Sequence, residues 1–154
     1  MGLSFYGDPF ADSAGWTEEN EIGRLWKRFE ALYAEHRGEL PPPATPGWMY
    51  ELHLWDAETE RTGHYEVFIG YPVADARTAP TSLLLKVLPA TRVARFTVSG
   101  GAIASESSFQ EMEAWIASQG LSRRDQWICN LYDESFKGVD NLDESSMDVC
   151  IPVE

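Results

Sequence analysis

The stretch WICNLYDESF (residues 127–136), followed after an acidic loop by MDVCIPV (147–153), decides the fold. Its side chains alternate as those of a strand do. Ile128, Asn130 and Tyr132 share one face, and Trp127, Cys129 and Leu131 share the other. Asp133 and Glu134 mark the strand exit, and the Ile-Pro-Val run closes a second strand. Just upstream, Phe109, Met112, Trp115 and Ile116 recur at helical spacing. They predict a helix over about residues 105–119, stopped by Gly120.

The same order of elements occurs earlier in the chain. Leu3 to Gly7 reads as a strand, and Thr17 opens a helix with Glu18, Glu19 and Glu21 in its first turns, where negative charge suits the helix dipole. Ile22, Leu25, Trp26, Phe29, Leu32 and Tyr33 form its apolar stripe. The helix ends near Arg37, because Gly38 and Pro41-Pro42-Pro43 cannot continue it. Strands follow over 48–55 and 64–73, with a charged turn at 56–63 between them. A further strand over 82–88 links this half to the next, which begins with a strand at 91–98. The last two strands run over about 126–133 and 146–153. Strand, helix, two strands therefore appears twice, over residues 3–73 and 91–153. That order defines an α+β class with antiparallel sheets.

A chain of 154 residues suits one domain spanning 1–154. With 44% hydrophobic residues and six tryptophans, it has the means to build a core. Twelve basic against 25 acidic residues give a net charge of −13, which repels phosphate backbones and anionic headgroups. Direct nucleic-acid binding and a membrane surface are thus not expected. No apolar run is long enough to span a bilayer, and MGLSFYGDPF has neither the basic start nor the apolar run of a secretory signal. Cys129 and Cys150 are too few for a disulfide framework and read as buried thiols, so the expected location is cytoplasmic.

Sequence signals for catalysis are weak. His36, His53 and His64 are scattered, without ligand spacing to one another or to the cysteines, so neither a metal nor a cofactor is implied. No nucleophile elbow, phosphate loop or dinucleotide fingerprint is present. Gly100-Gly101 reads as a tight turn. The chain is more readily a binder than an enzyme.

Taken together, these segments resemble the GyrI-like (AraC-type) bacterial effector-binding domains, and among them the stand-alone drug-binding proteins of integron cassettes. The resemblance rests on WICNLYDESF with the Ile-Pro-Val strand, on NEIGRLWKRF (20–29), on LPATRVARF (88–96) and on Trp115. It implies two pseudo-symmetric β-α-β-β units with a ligand pocket at their junction. It also implies a transcription-regulator-like module, without a DNA-reading part, that senses or sequesters a lipophilic or aromatic small molecule. In the family a buried Glu in the last-but-one strand meets cationic ligands. Asn130 occupies that place here, and Val93 stands where a pocket Tyr is usual. The expected ligand contacts are Asn130 and Tyr132, with Tyr50, Phe68, Tyr71, Phe96, Val93 and Trp115 around them. Glu66, which shares a face with Phe68, and Glu51, which shares one with Met49, His53 and Trp55, are acids beside aromatic rings. Either would restore a cation site, although each is expected on the solvent side of its sheet.

Two alternatives come with the resemblance. One is a protein-interaction or gyrase-modulating role, in which an acidic, aromatic surface meets a protein partner. The other is hydrolysis of reactive alkylating compounds, which would need a carboxylate such as Glu66 as base.

Overall fold

The computed structural model describes residues 1–124 and 127–154. Six strands form one antiparallel sheet: β1 (Gly2–Gly7), β2 (Met49–Leu54), β3 (Tyr65–Gly70), β4 (Val93–Ser99), β5 (Trp127–Tyr132) and β6 (Ser146–Pro152), in the order β1-β3-β2-β5-β6-β4. Helix α1 (Glu21–His36) follows β1, the single-turn α2 (Thr59–Thr62) lies between β2 and β3, and α3 (Glu106–Ser118) follows β4. The strand expected over about 126–133 starts at Gln126, which lies outside the described residues.

The order contains the repeat foreseen from sequence. β1-β3-β2 is one half and β4-β6-β5 the other, each with its helix after the first strand. They join edge to edge through β2 and β5, where Met49 pairs with Tyr132, Glu51 with Asn130 and His53 with Ile128. The pseudo-twofold relation thus yields one continuous sheet, and the Glu51–Asn130 pair stands near the middle of the seam.

Both helices pack on the sheet face that carries Leu3, Val67, Ile69, Asn130, Val149 and Ile151. Under α1 the core holds Leu25, Phe29, Val67, Ile69 and Tyr71; under α3 it holds Met112, Ile116, Met147, Val149 and Ile151. Phe29 is fully buried, a contribution of about 1.5–3 kcal/mol for a side chain of that size. The opposite face has its own small cluster of Leu52, Phe68 and Cys129 with Tyr50, Leu54, Trp127 and Cys150.

Two expectations are corrected. Helix α1 begins at Glu21 rather than at Thr17. Asn20 is its cap, accepting from the Gly23 N–H at 2.9 Å, while the Thr17 hydroxyl accepts from the Glu19 N–H in a separate turn. The 82–88 segment is not a strand. Leu84 makes one bridge to Gly2 at the edge of β1, with the Gly2 N–H donating to the Leu84 carbonyl at 3.0 Å and the Leu84 N–H to the Gly2 carbonyl at 2.8 Å.

Candidate functional site

Alternation along β2 and β5 turns Met49, Glu51, His53, Asn130 and Tyr132 to the helix-covered face. There α1 packs over β1 and β3, and a cavity of about 850 Å³ remains above the β2–β5 seam. Its floor is the β2–β5 seam, and Trp26 of α1 forms one wall. Phe10 and Trp16 close it from the segment before α1, and Phe136 from the segment after β5. Trp16 and Phe136 meet across the mouth with ring centres 6.2 Å apart.

The entry segment is fastened to the helix. The Asn20 side chain donates to the Gly15 carbonyl at 2.8 Å while capping α1. Gly23 lets this segment lie close: a Cβ there would stand 2.3 Å from the Thr17 carbonyl oxygen.

At the floor, Glu51 is 4% exposed and accepts three hydrogen bonds. Trp26 Nε1–H donates to Oε2 at 2.6 Å. His53 Nε2 meets Oε1 at 2.7 Å, and Asn130 Nδ2 donates to the same oxygen at 3.2 Å. Burial alone would raise the carboxyl's pKa. The His53 contact, then the Trp26 and Asn130 donors, outweigh it and hold Glu51 below the ordinary carboxylate value. The cavity therefore contains an ionised carboxylate at neutral pH, oriented from three elements.

Aromatic rings surround this charge. Tyr132 packs edge-on against Trp26 at 5.3 Å and against Phe136 at 4.8 Å. Burial, and then the Glu51 charge, push the Tyr132 phenol well up, so it remains protonated. Its hydroxyl is buried beside Asn130 and Glu51, although neither of them, nor any other group among the described residues, meets it with full hydrogen-bond geometry. The His53 imidazole stacks on Tyr65 at 5.7 Å and on Trp55 at 6.3 Å.

Of the residues singled out from sequence, Asn130 and Tyr132 line this cavity together. The others stand elsewhere. Tyr50 and Phe68 point to the opposite face, because their strand positions are out of phase with Glu51 and Ile69. Tyr71 is on the helix-covered side but is buried between Phe29 and Tyr33, and its hydroxyl donates to the Pro41 carbonyl at 3.0 Å. Burial pushes that phenol up to about 12. Phe96 lies on the edge strand against Trp115 of α3, which is 49% exposed, and Val93 is exposed at the same edge. Glu66 shares the opposite face with Phe68, where it accepts from Ser4 Oγ at 2.7 Å and from Lys86 Nζ at 2.6 Å.

Glu51 reverses the sequence expectation: it is inside. The sequence puts Trp26 on a core stripe and gives His53 no partner, yet both belong to the Glu51 cluster. The signal that could have found the site was the Met49-Glu51-His53 face, a carboxylate and an imidazole two residues apart on one strand.

A family model described as the GyrI-like small molecule binding domain matches residues 10–154. The chain belongs to this family. Among curated proteins, this GyrI-like chain is similar to the transcriptional regulator BrlR of Pseudomonas aeruginosa, at 26% identity over 155 residues. The match covers 99% of this chain and 51% of BrlR, so the chain spans about half the length of that relative. Among solved structures, SAV2435 bound to tetraphenylphosphonium superimposes with a TM-score of 0.64 at 13% identity, covering 99% of this chain and 86% of that one. At that identity the likeness shows the fold alone.

In this GyrI-like domain the sequence resemblance assigns the family acid to residue 130, which is Asn here. A carboxylate nevertheless stands at the site, on Glu51, the register partner of Asn130 across the β2–β5 seam. Among the described residues, no group of three or more His, Cys, Asp or Glu side chains is placed to hold a metal ion.

Proposed function

We propose that this protein binds a lipophilic, aromatic monocation in the cavity at the β2–β5 seam, and that Glu51 selects the charge. The observation that carries this reading is a buried, ionised carboxylate under Trp26, Tyr132 and Phe136. Removing a charge from water is costly, and a delocalised cation offsets that cost by pairing with the carboxylate while its rings pack on the aromatic walls. At an effective dielectric of ~20, a positive charge about 5 Å from the carboxylate gains about 3 kcal/mol, two orders of magnitude in affinity. Asn130 turns its amide N–H onto Glu51, so its part is to hold the acid in place beside the ligand. Tyr132 and Trp26 supply the wall. The solved likeness, SAV2435, has tetraphenylphosphonium as its ligand, which is consistent with this chemistry.

The proposal extends to the whole of residues 1–154 as one effector-binding domain that senses or sequesters its ligand in the cytoplasm. The regulator relative supports that setting. Burial pushes both Cys129 and Cys150 up, which keeps them as thiols there. A protein partner is a second reading, favoured by the exposed Leu84, Leu85 and Val87 that follow the first half.

The test compares tetraphenylphosphonium with neutral triphenylphosphine oxide, by calorimetry and by quenching of Trp fluorescence, in the natural protein and in Glu51→Gln. The natural protein is expected to prefer the cation at least tenfold, and Glu51→Gln to lose that preference. Equal affinity for both compounds in the natural protein would refute cation selection, and no binding of either would refute the ligand reading itself.

A further inference from the structure

His53 stands 2.7 Å from Glu51, with side-chain exposures of 12% and 5% for the two residues. Three donors hold this carboxylate, and they differ in one respect. The Trp26 indole and the Asn130 amide are neutral at every physiological pH, whereas an imidazole can itself become a cation. His53 lines the same cavity as Glu51. We infer that His53 competes with the ligand's positive charge for Glu51, and so determines whether the cavity accepts cations or neutral molecules. This rests on the cation reading above and assigns its specificity to a residue outside the wall that packs the ligand.

The geometry gives the mechanism. A neutral imidazole with its proton on Nε2 donates to Oε1 and leaves the pair with one negative charge. An imidazolium makes the same hydrogen bond in the same place and leaves the pair with none. The contact does not change with protonation; only the charge that an arriving ligand meets does. A cation entering beside a protonated His53 finds its counter-charge already matched and a like charge close by. Its binding must then drive the proton off, and the released proton appears as a pH dependence of affinity.

The surroundings of His53 leave Glu51 as the charge in direct contact. On β3, Tyr65 lies flat on the imidazole, and burial, then Glu51 and Asp8, push its phenol up, so it is neutral. Trp55 covers part of the ring, with the Arg123 guanidinium 4.9 Å from the indole centre. From α1, Lys27 faces the cavity but is paired with Glu18, and Glu30 lies beside it. The exit of β5 brings Asp133, Lys137 and Asp140 to the rim. Ile128, the register partner of His53 on β5, cannot titrate.

The experiment uses the full chain and two probes: tetraphenylphosphonium, whose charge does not depend on pH, and triphenylphosphine oxide, which has none. Affinities are measured by calorimetry between about pH 5.5 and 8.5 for the natural protein and for His53→Gln, whose amide still donates to Glu51. In the natural protein, cation affinity is expected to rise up to tenfold per pH unit on the acid side and then level off. The neutral probe is expected to bind equally throughout. His53→Gln is expected to bind the cation more tightly than the natural protein at acid pH and with equal affinity at alkaline pH, because the competing charge is gone. A flat cation profile in the natural protein, or an acid-side affinity of His53→Gln no higher than the natural protein's, overturns the inference while cation selection by Glu51 stands. Should His53→Gln fail to fold, titrations of the natural protein in two buffers of different ionisation heat decide the matter. About one proton released per cation bound at acid pH supports the inference, and none overturns it. Failure of the cation to bind at any pH removes the cation reading and this inference with it.

Discussion

Replacing Trp26 by Phe tests whether the carboxylate under the cavity is held as a charge. The indole N–H donates to Glu51 Oε2 at 2.6 Å, and the ring also packs edge-on against Tyr132 and Phe29. Phe keeps most of the ring contacts and loses the donor. A hydrogen bond to a buried charged group contributes about 1.5–3 kcal/mol, and the smaller ring adds about 1 kcal/mol of lost packing. The expected loss is therefore ~2–4 kcal/mol, or roughly 4–16 °C in Tm for a chain of this length. Urea unfolding followed by far-UV circular dichroism measures it without relying on the altered Trp signal. The same substitution in a Glu51→Gln background isolates the charge-assisted part as a coupling energy. The sign with pH follows from Glu51, whose folded pKa is lowered. The stability it contributes is present above the unfolded carboxylate pKa and is lost as pH falls through the lower folded value. Trp26→Phe removes one cause of that lowering. The stability gap between natural and variant protein should thus narrow in acid toward the ~1 kcal/mol of lost packing. A coupling below about 0.5 kcal/mol, or a gap that does not narrow in acid, would refute the account of an ionised Glu51 held by the indole.

Tyr132→Phe removes a buried hydroxyl that no described group pairs with, so the ligand-free protein should gain about 1–3 kcal/mol, read as a raised urea midpoint. A loss of similar size would show that the phenol is satisfied in solution. Asn130→Glu places two carboxylates at register partners across the seam, where side chains are about 5 Å apart. It should lower the urea midpoint at pH 7 and bind an extra proton there, with the midpoint recovering as pH falls; unchanged stability at pH 7 would contradict the geometry. Glu66→Gln breaks a pair with Lys86 in which each side chain is 27% exposed, on the face away from the cavity. It should cost less than about 1 kcal/mol and leave tetraphenylphosphonium affinity unchanged by calorimetry.

Most of the fold was legible because its signals are local. The stripe of α1, the Gly120 stop, and the alternation in 127–133 each specify an element within ten or so residues. The repeated order of elements then indicated two matching halves. What alternation does not specify is which face of a strand is inward, and β2 shows why. Tyr50, Leu52 and Leu54 are the more apolar set, and they belong to the sheet's second cluster on the far face. Met49, Glu51 and His53 look like a solvent face, yet they floor the cavity, because Trp26 of α1 and the segments before α1 and after β5 cover them. Of the aromatic residues expected as walls, Tyr50 and Phe68 are out of phase with this cavity, and Tyr71, on the helix-covered face, fills the core beneath α1.

The acid itself is the clearest case of long-range determination. Read along the chain, Asn130 is a missing charge and Glu51 an exposed one, in segments 79 residues apart. Only the pairing of β2 with β5 makes them neighbours, and it converts two unremarkable residues into a carboxylate and its amide donor. The Trp26 indole completes the site from a helix whose sequence marks that residue as core. A substitution at one position of this seam therefore has to be judged together with the residue paired to it. Asn130 without Glu51 would leave a polar cavity with no charge. Glu51 without Asn130 would still hold the charge, through His53 and Trp26, but would leave Oε1 with one donor fewer. The charge of the site resides on Glu51 and its neighbour His53, while Asn130 and Trp26 both line the cavity and donate to that carboxylate. A substitution at either of these two therefore changes the shape and the charge together, whereas Tyr132 bears on the shape.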